Sequence, residues 1–157
     1  DVTTVEYRQM NGLIDKFGDK LVILCFPCNQ FGYQENLSNE EIPKFLHYIR
    51  PGNNFEPKMK IFQKIEVNGE NAHPIFKFLK SNLPVPCNDD GLLMRNTKWI
   101  IWAPVSRSDI TWNFEKFLID ATGKPVRRYS PKIKAINLTD DIAKLIGKAN
   151  RHSKRPS

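Results

Sequence analysis

Three groups of side chains in this sequence could do chemistry. The first is Cys25-Phe-Pro-Cys28, which has the spacing of a redox C-x-x-C, where a helix N-terminus stabilises a thiolate. The surroundings do not fit. Cys25 lies inside the apolar run Leu21 to Phe26, and a polar loop led by Pro27 follows Cys28, so the pair reads as two structural thiols, with Cys87 an exposed free thiol in a polar loop. The second group is donors without a nucleophile: Trp112 and Asn113 offer an indole N–H and an amide, and Gln34 another amide. Taken singly they read as a core Trp, a strand-start Asn and a surface Gln. The third is cationic, with Arg50 and Arg127-Arg128 as candidates for a small anionic ligand. Metal chemistry is not expected, because His47, His73 and His152 share no His-x-x-x-His or Cys/His spacing. No phosphate-binding Gly-rich loop or Gly-x-Ser-x-Gly elbow occurs.

The elements that must position these groups follow from periodicity. Met10, Leu13, Ile14 and Phe17 recur at helical spacing, Thr3 and Glu6 make a capping box, and Gly18 stops the helix, which begins at Thr3 or Thr4. Leu21 to Phe26 reads as a strand buried on both faces, and the loop from Cys28 to Asn36 sits at its carboxyl end, where open α/β sheets place their sites. Ser38 and Glu41 box a second helix carrying Ile42, Phe45, Leu46 and Ile49, with Pro43 just past its first turn. Ile61 to Val67 alternates like a short strand before the Asn68-Gly69 turn, and a third helix spans Pro74 to Lys80 with Ile75, Phe78 and Leu79 inward. After a long polar loop from Leu83 to Lys98, Phe114 to Asp120 and Val126 to Tyr129 form a hairpin. Thr139 caps a last helix with Asp140 and Asp141 in its first turn and Ile142, Leu145 and Ile146 as its apolar face.

Composition sets the frame. The chain has 157 residues, 40% hydrophobic and 26% charged, which is one globular domain with a real core. An odd three cysteines favour a reducing, cytoplasmic setting over a disulfide framework. No run approaches the ~20 apolar residues of a membrane-spanning helix, so no membrane partner is expected. The net charge is +7, but much of it falls in residues 148–157, read as a disordered basic tail behind a domain at 1–147. No aromatic stacking platform or helix-turn-helix pattern accompanies that tail, so nucleic acid is not an expected partner. The chain opens on Asp1 rather than Met and is expected to be incomplete at its beginning.

Several segments resemble the glutathione peroxidase family. Leu24-Cys-Phe-Pro-Cys-Asn-Gln-Phe-Gly-Tyr-Gln-Glu35 resembles its loop motif and Trp112-Asn-Phe-Glu-Lys-Phe-Leu118 its Trp-Asn-Phe motif. Tyr48-Ile-Arg-Pro-Gly52, Val67-Asn-Gly69 and Arg127-Arg-Tyr-Ser130 match as well, and the likeness runs from about Thr3 to Ile146. It is nearest to the longer, usually homotetrameric, cytosolic selenium-type members, through the loops Arg50 to Pro57 and Pro84 to Pro104. The resemblance implies a thioredoxin-like α/β fold of three layers, α/β/α. It implies reduction of hydrogen peroxide or organic hydroperoxides by two glutathione molecules in the oxidative-stress response, with no cofactor beyond that co-substrate. Residue by residue, Gln34, Trp112 and Asn113 correspond to the hydrogen-bonding partners of a selenocysteine or cysteine nucleophile. N–H donors converging on an anionic selenium or sulfur favour its charged form. Arg50, Arg127 and Arg128 correspond to the residues that hold glutathione's carboxylates.

The sequence departs from the family at the reacting atom. The nucleophile lies seven residues before the position of Tyr7, and a gapless count falls on the residue immediately before Asp1, at the electropositive end of the first helix. Neither Asp1 nor Val2 can cycle through sulfenic or selenenic states. The family's Arg just before Tyr7 is replaced by Glu6 or Val5. The leading hairpin and first central strand are expected to be missing, and the chain as written to be inactive alone. A selenocysteine codon is usually read as stop, so a chain starting just after it is what a fragment would give. The alternatives are a catalytically silent paralogue that binds partners through the same scaffold and a thiol oxidoreductase using Cys25 and Cys28.

Overall fold

The computed structural model describes residues 1–88 and 97–152. Helix α1 (Val2–Phe17) is capped by Asp1, whose carboxylate accepts the Thr4 N–H at 2.8 Å, and it ends at Gly18 with φ of 58°. Glu6 is therefore not the far end of a capping box. Its side chain is 1% exposed and meets Lys116 Nζ at 3.1 Å and the Ala135 N–H at 3.2 Å.

Strand β1 (Leu24–Cys25) runs parallel to β2 (Lys60–Ile61), and β3 (Lys116–Ile119) pairs antiparallel with β4 (Pro125–Tyr129). The β3–β4 turn is tied by Asp120, which accepts the Thr122 and Lys124 N–H groups. Helices α2 (Glu41–Tyr48), α3 (Pro74–Asn82) and α4 (Thr139–His152) complete the described elements. Pro43 sits in the first turn of α2, where no intrahelical N–H is required of it.

Side-chain alternation along the strands sorts the core into two parts. Leu118, Ile23 and Cys25 join Tyr7, Met10 and Leu13 of α1, Ile42 and Leu46 of α2 and Ile142 of α4. Phe117 goes the other way, to Phe76 of α3 and to Cys28, Phe31, Val67, Trp102, Ile110 and Trp112. Helices thus cover both faces of the strands, the three-layer α/β/α arrangement expected.

Four expectations change. The strand read across Leu21 to Phe26 is shorter and open on one side: Val22 is 63% and Leu24 50% exposed, because among the described residues no strand joins the β1–β2 and β3–β4 pairs. The strand read across Ile61 to Val67 narrows to Lys60–Ile61 because Gln30 takes the Val67 N–H. In α3 the inward residues are Phe76, Leu79 and Lys80, whereas Ile75 and Phe78 are exposed. Finally, α4 continues to His152, so Lys148 and Arg151 are helical rather than part of an unstructured tail. The expected loop from Leu83 to Lys98 lies partly, at 89–96, outside the described residues, as does the end of the tail, 153–157.

Candidate active site

Two loops, one after β1 and one before β3, carry the donors. Pro27 ends the first strand's pairing, and Cys28 and Phe31 then bury into the second core part, anchoring the loop from beneath. Gln30, 6% exposed, accepts the Val67 and Asn68 N–H groups at 2.9 and 3.0 Å and donates to the Asn68 carbonyl at 2.9 Å. Above this anchor Asn29 accepts the Glu35 N–H at 2.8 Å, and Lys64 Nζ donates to the carbonyls of Glu35 and Leu37. Gly32 has φ of 68°, and a Cβ there would stand 3.2 Å from the Trp112 ring, so the loop needs glycine for its backbone and for its neighbour. Tyr33, with φ of 51°, then turns the chain so that Gln34 stands exposed.

The second loop is held just as firmly. Glu115 accepts the Thr111 N–H at 2.8 Å and its hydroxyl at 3.0 Å, closing a tight turn over Trp112 and Asn113. Phe114 has φ of 66°, an outlier for an aromatic residue, and is fixed edge-on against Tyr7 with ring centroids 6.2 Å apart. Trp112 packs between Phe31 and Trp99 at 5.9 and 6.0 Å. Asn113 Nδ2 donates to Gln34 Oε1 at 3.0 Å. The structure therefore brings Gln34 and Asn113 into contact and sets Trp112 on the backbone of the same loop. Gln34 accepts with its oxygen, so its own NH2 and the second Asn113 N–H, which meet no partner among the described residues, can donate.

Tyr7 links this pair to α1. Burial, with Cys25 and Glu35 close by, pushes its phenol well above the ordinary range. The second turn of α1 thus lies beside the two loops. At that helix's N-terminus a cavity of about 310 Å³ is lined by Asp1, Val2, Val5, Glu6, Pro131, Lys132 and Lys134.

The three arginines separate. Arg50 is half exposed, with its Nε 3.6 Å from the Asp1 carboxylate. Arg127 is also half exposed and meets Asp141 at 3.1 Å. Arg128 is 1% exposed and fully engaged: it meets Glu115 at 2.6 Å and donates to the carbonyls of Leu83, Pro84, Ser108 and Asp109. A side chain so deeply buried and so widely bonded cannot reach a ligand from solvent, so Arg128 is corrected from a ligand-binding residue to a structural anchor. Lys132 and Lys134, on the cavity wall, were not singled out from the sequence.

The thiols carry no redox pair. Cys25 packs with Met10 in the first core part and Cys28 lies in the second, bonded to Gln30 Oε1 at 3.6 Å. Burial pushes the Cys25 thiol from 9.0 up to about 12 and raises Cys28 too, against the hydrogen bonds that favour its thiolate. Burial in different parts of the core, which disfavours both thiolates, speaks against the C-x-x-C oxidoreductase alternative. His47 bonds Glu56 at 2.8 Å and His73 caps α3, and among the described residues no His, Cys, Asp and Glu cluster could hold a metal ion. No helix among the described residues is long and apolar enough to cross a membrane.

Comparison with known proteins identifies the family. A family model described as glutathione peroxidase matches residues 1–80. The chain is similar to glutathione peroxidase 1 of Rattus norvegicus, 54% identical over 147 residues, which is 93% of this chain and 73% of the relative. It is 52% identical to glutathione peroxidase 2 of Mus musculus over 144 residues, 92% of this chain and 76% of the relative. Among solved structures, the crystal structure of T. cruzi GPX1 superposes with a TM-score of 0.56 at 28% identity, covering 92% of this chain and 73% of that one. The apo crystal structure of Trgpx gives a TM-score of 0.60 at 25% identity, covering 92% of this chain and 72% of that one.

Proposed function

Because this chain belongs to the glutathione peroxidase family, with its thioredoxin-like fold, we propose that its donor cluster serves the reduction of hydrogen peroxide and organic hydroperoxides by glutathione. The observation that carries the reading is the 3.0 Å bond between Asn113 and Gln34, which leaves further N–H groups on both amides to donate, in the two loops that also carry and contact Trp112. Such donors stabilise a selenolate or thiolate, and the nucleophile is proposed to lie at the N-terminal end of α1, where the helix dipole adds to the same effect. Attack on the hydroperoxide then forms a bond from selenium or sulfur to one oxygen, breaks the O–O bond and releases the other oxygen as water or an alcohol. One glutathione thiol displaces the bound hydroxyl, and a second regenerates the nucleophile and leaves glutathione disulfide.

Glutathione is proposed to be held by its carboxylates on Arg50 and Arg127. Both keep exposed guanidinium groups, and Lys132 and Lys134 add positive charge along the cavity at the same end of α1. A cytoplasmic homotetramer is proposed as the working form, supported by Tyr48 and Ile49, 69% and 66% exposed at the start of the loop that resembles the longer members.

The test is a coupled assay with glutathione, glutathione reductase and NADPH, run on the product of the full transcript and on the 157-residue chain. Turnover by the first and none by the second is the expected result. Turnover by neither, with a residue other than selenocysteine or cysteine at the position before Asp1, would support the silent-scaffold reading. That alternative is favoured by one observation: Cys25 and Cys28, the thiols nearest the candidate site in sequence, both pack into the core rather than toward the donors.

A further inference from the structure

We propose that Asn68 is a positioning residue that sets Trp112 and Asn113 against Gln34, an inference that rests on the functional reading of those three residues. Asn68 is fully buried, at 0% exposure, and every polar group it has is used. Its Nδ2 donates to the Ile110 carbonyl at 2.8 Å and its Oδ1 accepts the Ile110 N–H at 2.8 Å, so one side-chain amide pairs with one backbone residue as a neighbouring strand would. Its own backbone N–H and carbonyl pair in the same way with the side-chain amide of Gln30, at 3.0 and 2.9 Å. Gln30 lies four residues before Gln34, and Ile110 lies two before Trp112 and three before Asn113. The two loops that carry the donors are thus clamped to each other through Asn68.

The orientation of the amide is specified rather than left to chance. Lys80 Nζ, in a side chain 9% exposed, donates to Asn68 Oδ1 at 3.2 Å, so only the oxygen can face that side. Lys80 is itself paired at 3.2 Å with Asp109, which also accepts the Trp102 indole N–H and the Ser106 N–H at 2.8 Å. The charged pair therefore fixes which end of the amide meets the Ile110 N–H and which meets its carbonyl. Asn supplies a permanent donor and acceptor at this length: an ionised Asp would set an oxygen against the Ile110 carbonyl, and Leu would leave both Ile110 groups buried and unpaired.

The experiment is two-dimensional ¹H–¹⁵N NMR of the full 157-residue chain, reading the Asn113 side-chain NH2 and the Trp112 indole N–H in wild type and Asn68→Asp. Backbone amides of Leu13 and Ile142, in the other part of the core, report that the variant is folded. The expected result is exchange of the Asn113 side-chain protons accelerated about tenfold, as the loss of one hydrogen bond would give, with a shifted Trp112 indole signal. Should Asn68→Asp not fold, Lys80→Met removes the orienting charge at similar length and is expected to change the same two signals in the same direction. A folded variant in which both signals stay at their wild-type positions and rates overturns the proposal. The readout needs no turnover, so changed signals in the 157-residue chain together with no peroxidase activity in the full-transcript product would sink the functional reading and leave the positioning role standing.

Discussion

Gln34 and Asn113 stand 79 positions apart in sequence and 3.0 Å apart in space, and each is next to a non-glycine residue with positive φ. Tyr33 precedes Gln34 with φ of 51°, and Phe114 follows Asn113 with φ of 66°. Strain of this kind persists only where the surroundings over-determine it, and here it lies on both sides of one contact.

That contact predicts a kinetic signature. In the peroxidase-competent protein, Asn113→Ala is expected to lower kcat/KM for hydroperoxide by roughly 10- to 100-fold, the value of one hydrogen bond to a charged group. Gln34→Ala acts in the same direction, and the double variant loses less than the two effects multiplied, because the residues share a bond. Steady-state kinetics at saturating glutathione measures this.

The backbone strain predicts a stability gain at one of the two positions. Tyr33 is 58% exposed, and Asn adopts its conformation more readily, so Tyr33→Asn should raise stability by about 0.5–1 kcal/mol. Urea unfolding followed by circular dichroism gives the number. A loss of stability would mean that the ring itself is held.

The arginines should part company under mutation. Arg128→Met leaves Glu115 buried and unpaired and four carbonyls without their donor, and should cost about 3–5 kcal/mol. Arg127→Ala removes an exposed pair worth under about 1 kcal/mol and should leave stability nearly unchanged while weakening glutathione binding. Chemical denaturation beside calorimetric titration with glutathione separates the two.

Alkaline pH should destabilise the fold earlier than its charge alone would. The Cys25 thiol titrates near 9.0 when free and near 12 when folded, so between these values the native state holds a proton that the unfolded chain has lost. The stabilisation is complete below about pH 9 and disappears as pH rises toward 12, reaching ~1–2 kcal/mol of loss by pH 10. Cys25→Val should flatten this part of the curve, as the urea midpoint measured at pH 7.5 and pH 10 will show.

How far the sequence announced these features depends on the range of the interaction involved. Gly18, Pro27, the β3–β4 hairpin and the start of α4 were legible because each depends on residues within one turn. Gln34, Trp112 and Asn113 were legible through motifs, although nothing local says that the first and last touch. Arg127-Arg128 looked like one cationic patch, yet adjacent residues on a strand point to opposite faces, a signal that would have assigned one of them inward. Asn68 was hidden by its own neighbour. Asn-Gly is a strong turn signature, and the turn exists, but the side chain's partners lie 42 residues on at Ile110 and 12 on at Lys80. Glu6 misled for the opposite reason: its spacing from Thr3 suited a local cap, while Lys116 and Ala135, over a hundred residues away, hold it instead.

The uneven burial of the three thiols has a practical consequence. Cys28 is buried and Cys25 half-buried while Cys87 is exposed, so a maleimide dye added to the native chain should attach first at Cys87 without any engineering. Cys87 donates its backbone N–H to the carbonyl of Arg128 at 2.8 Å, which ties the far end of residues 83–88 to β4. A fluorophore there would report whether that loop stays docked beside the buried arginine.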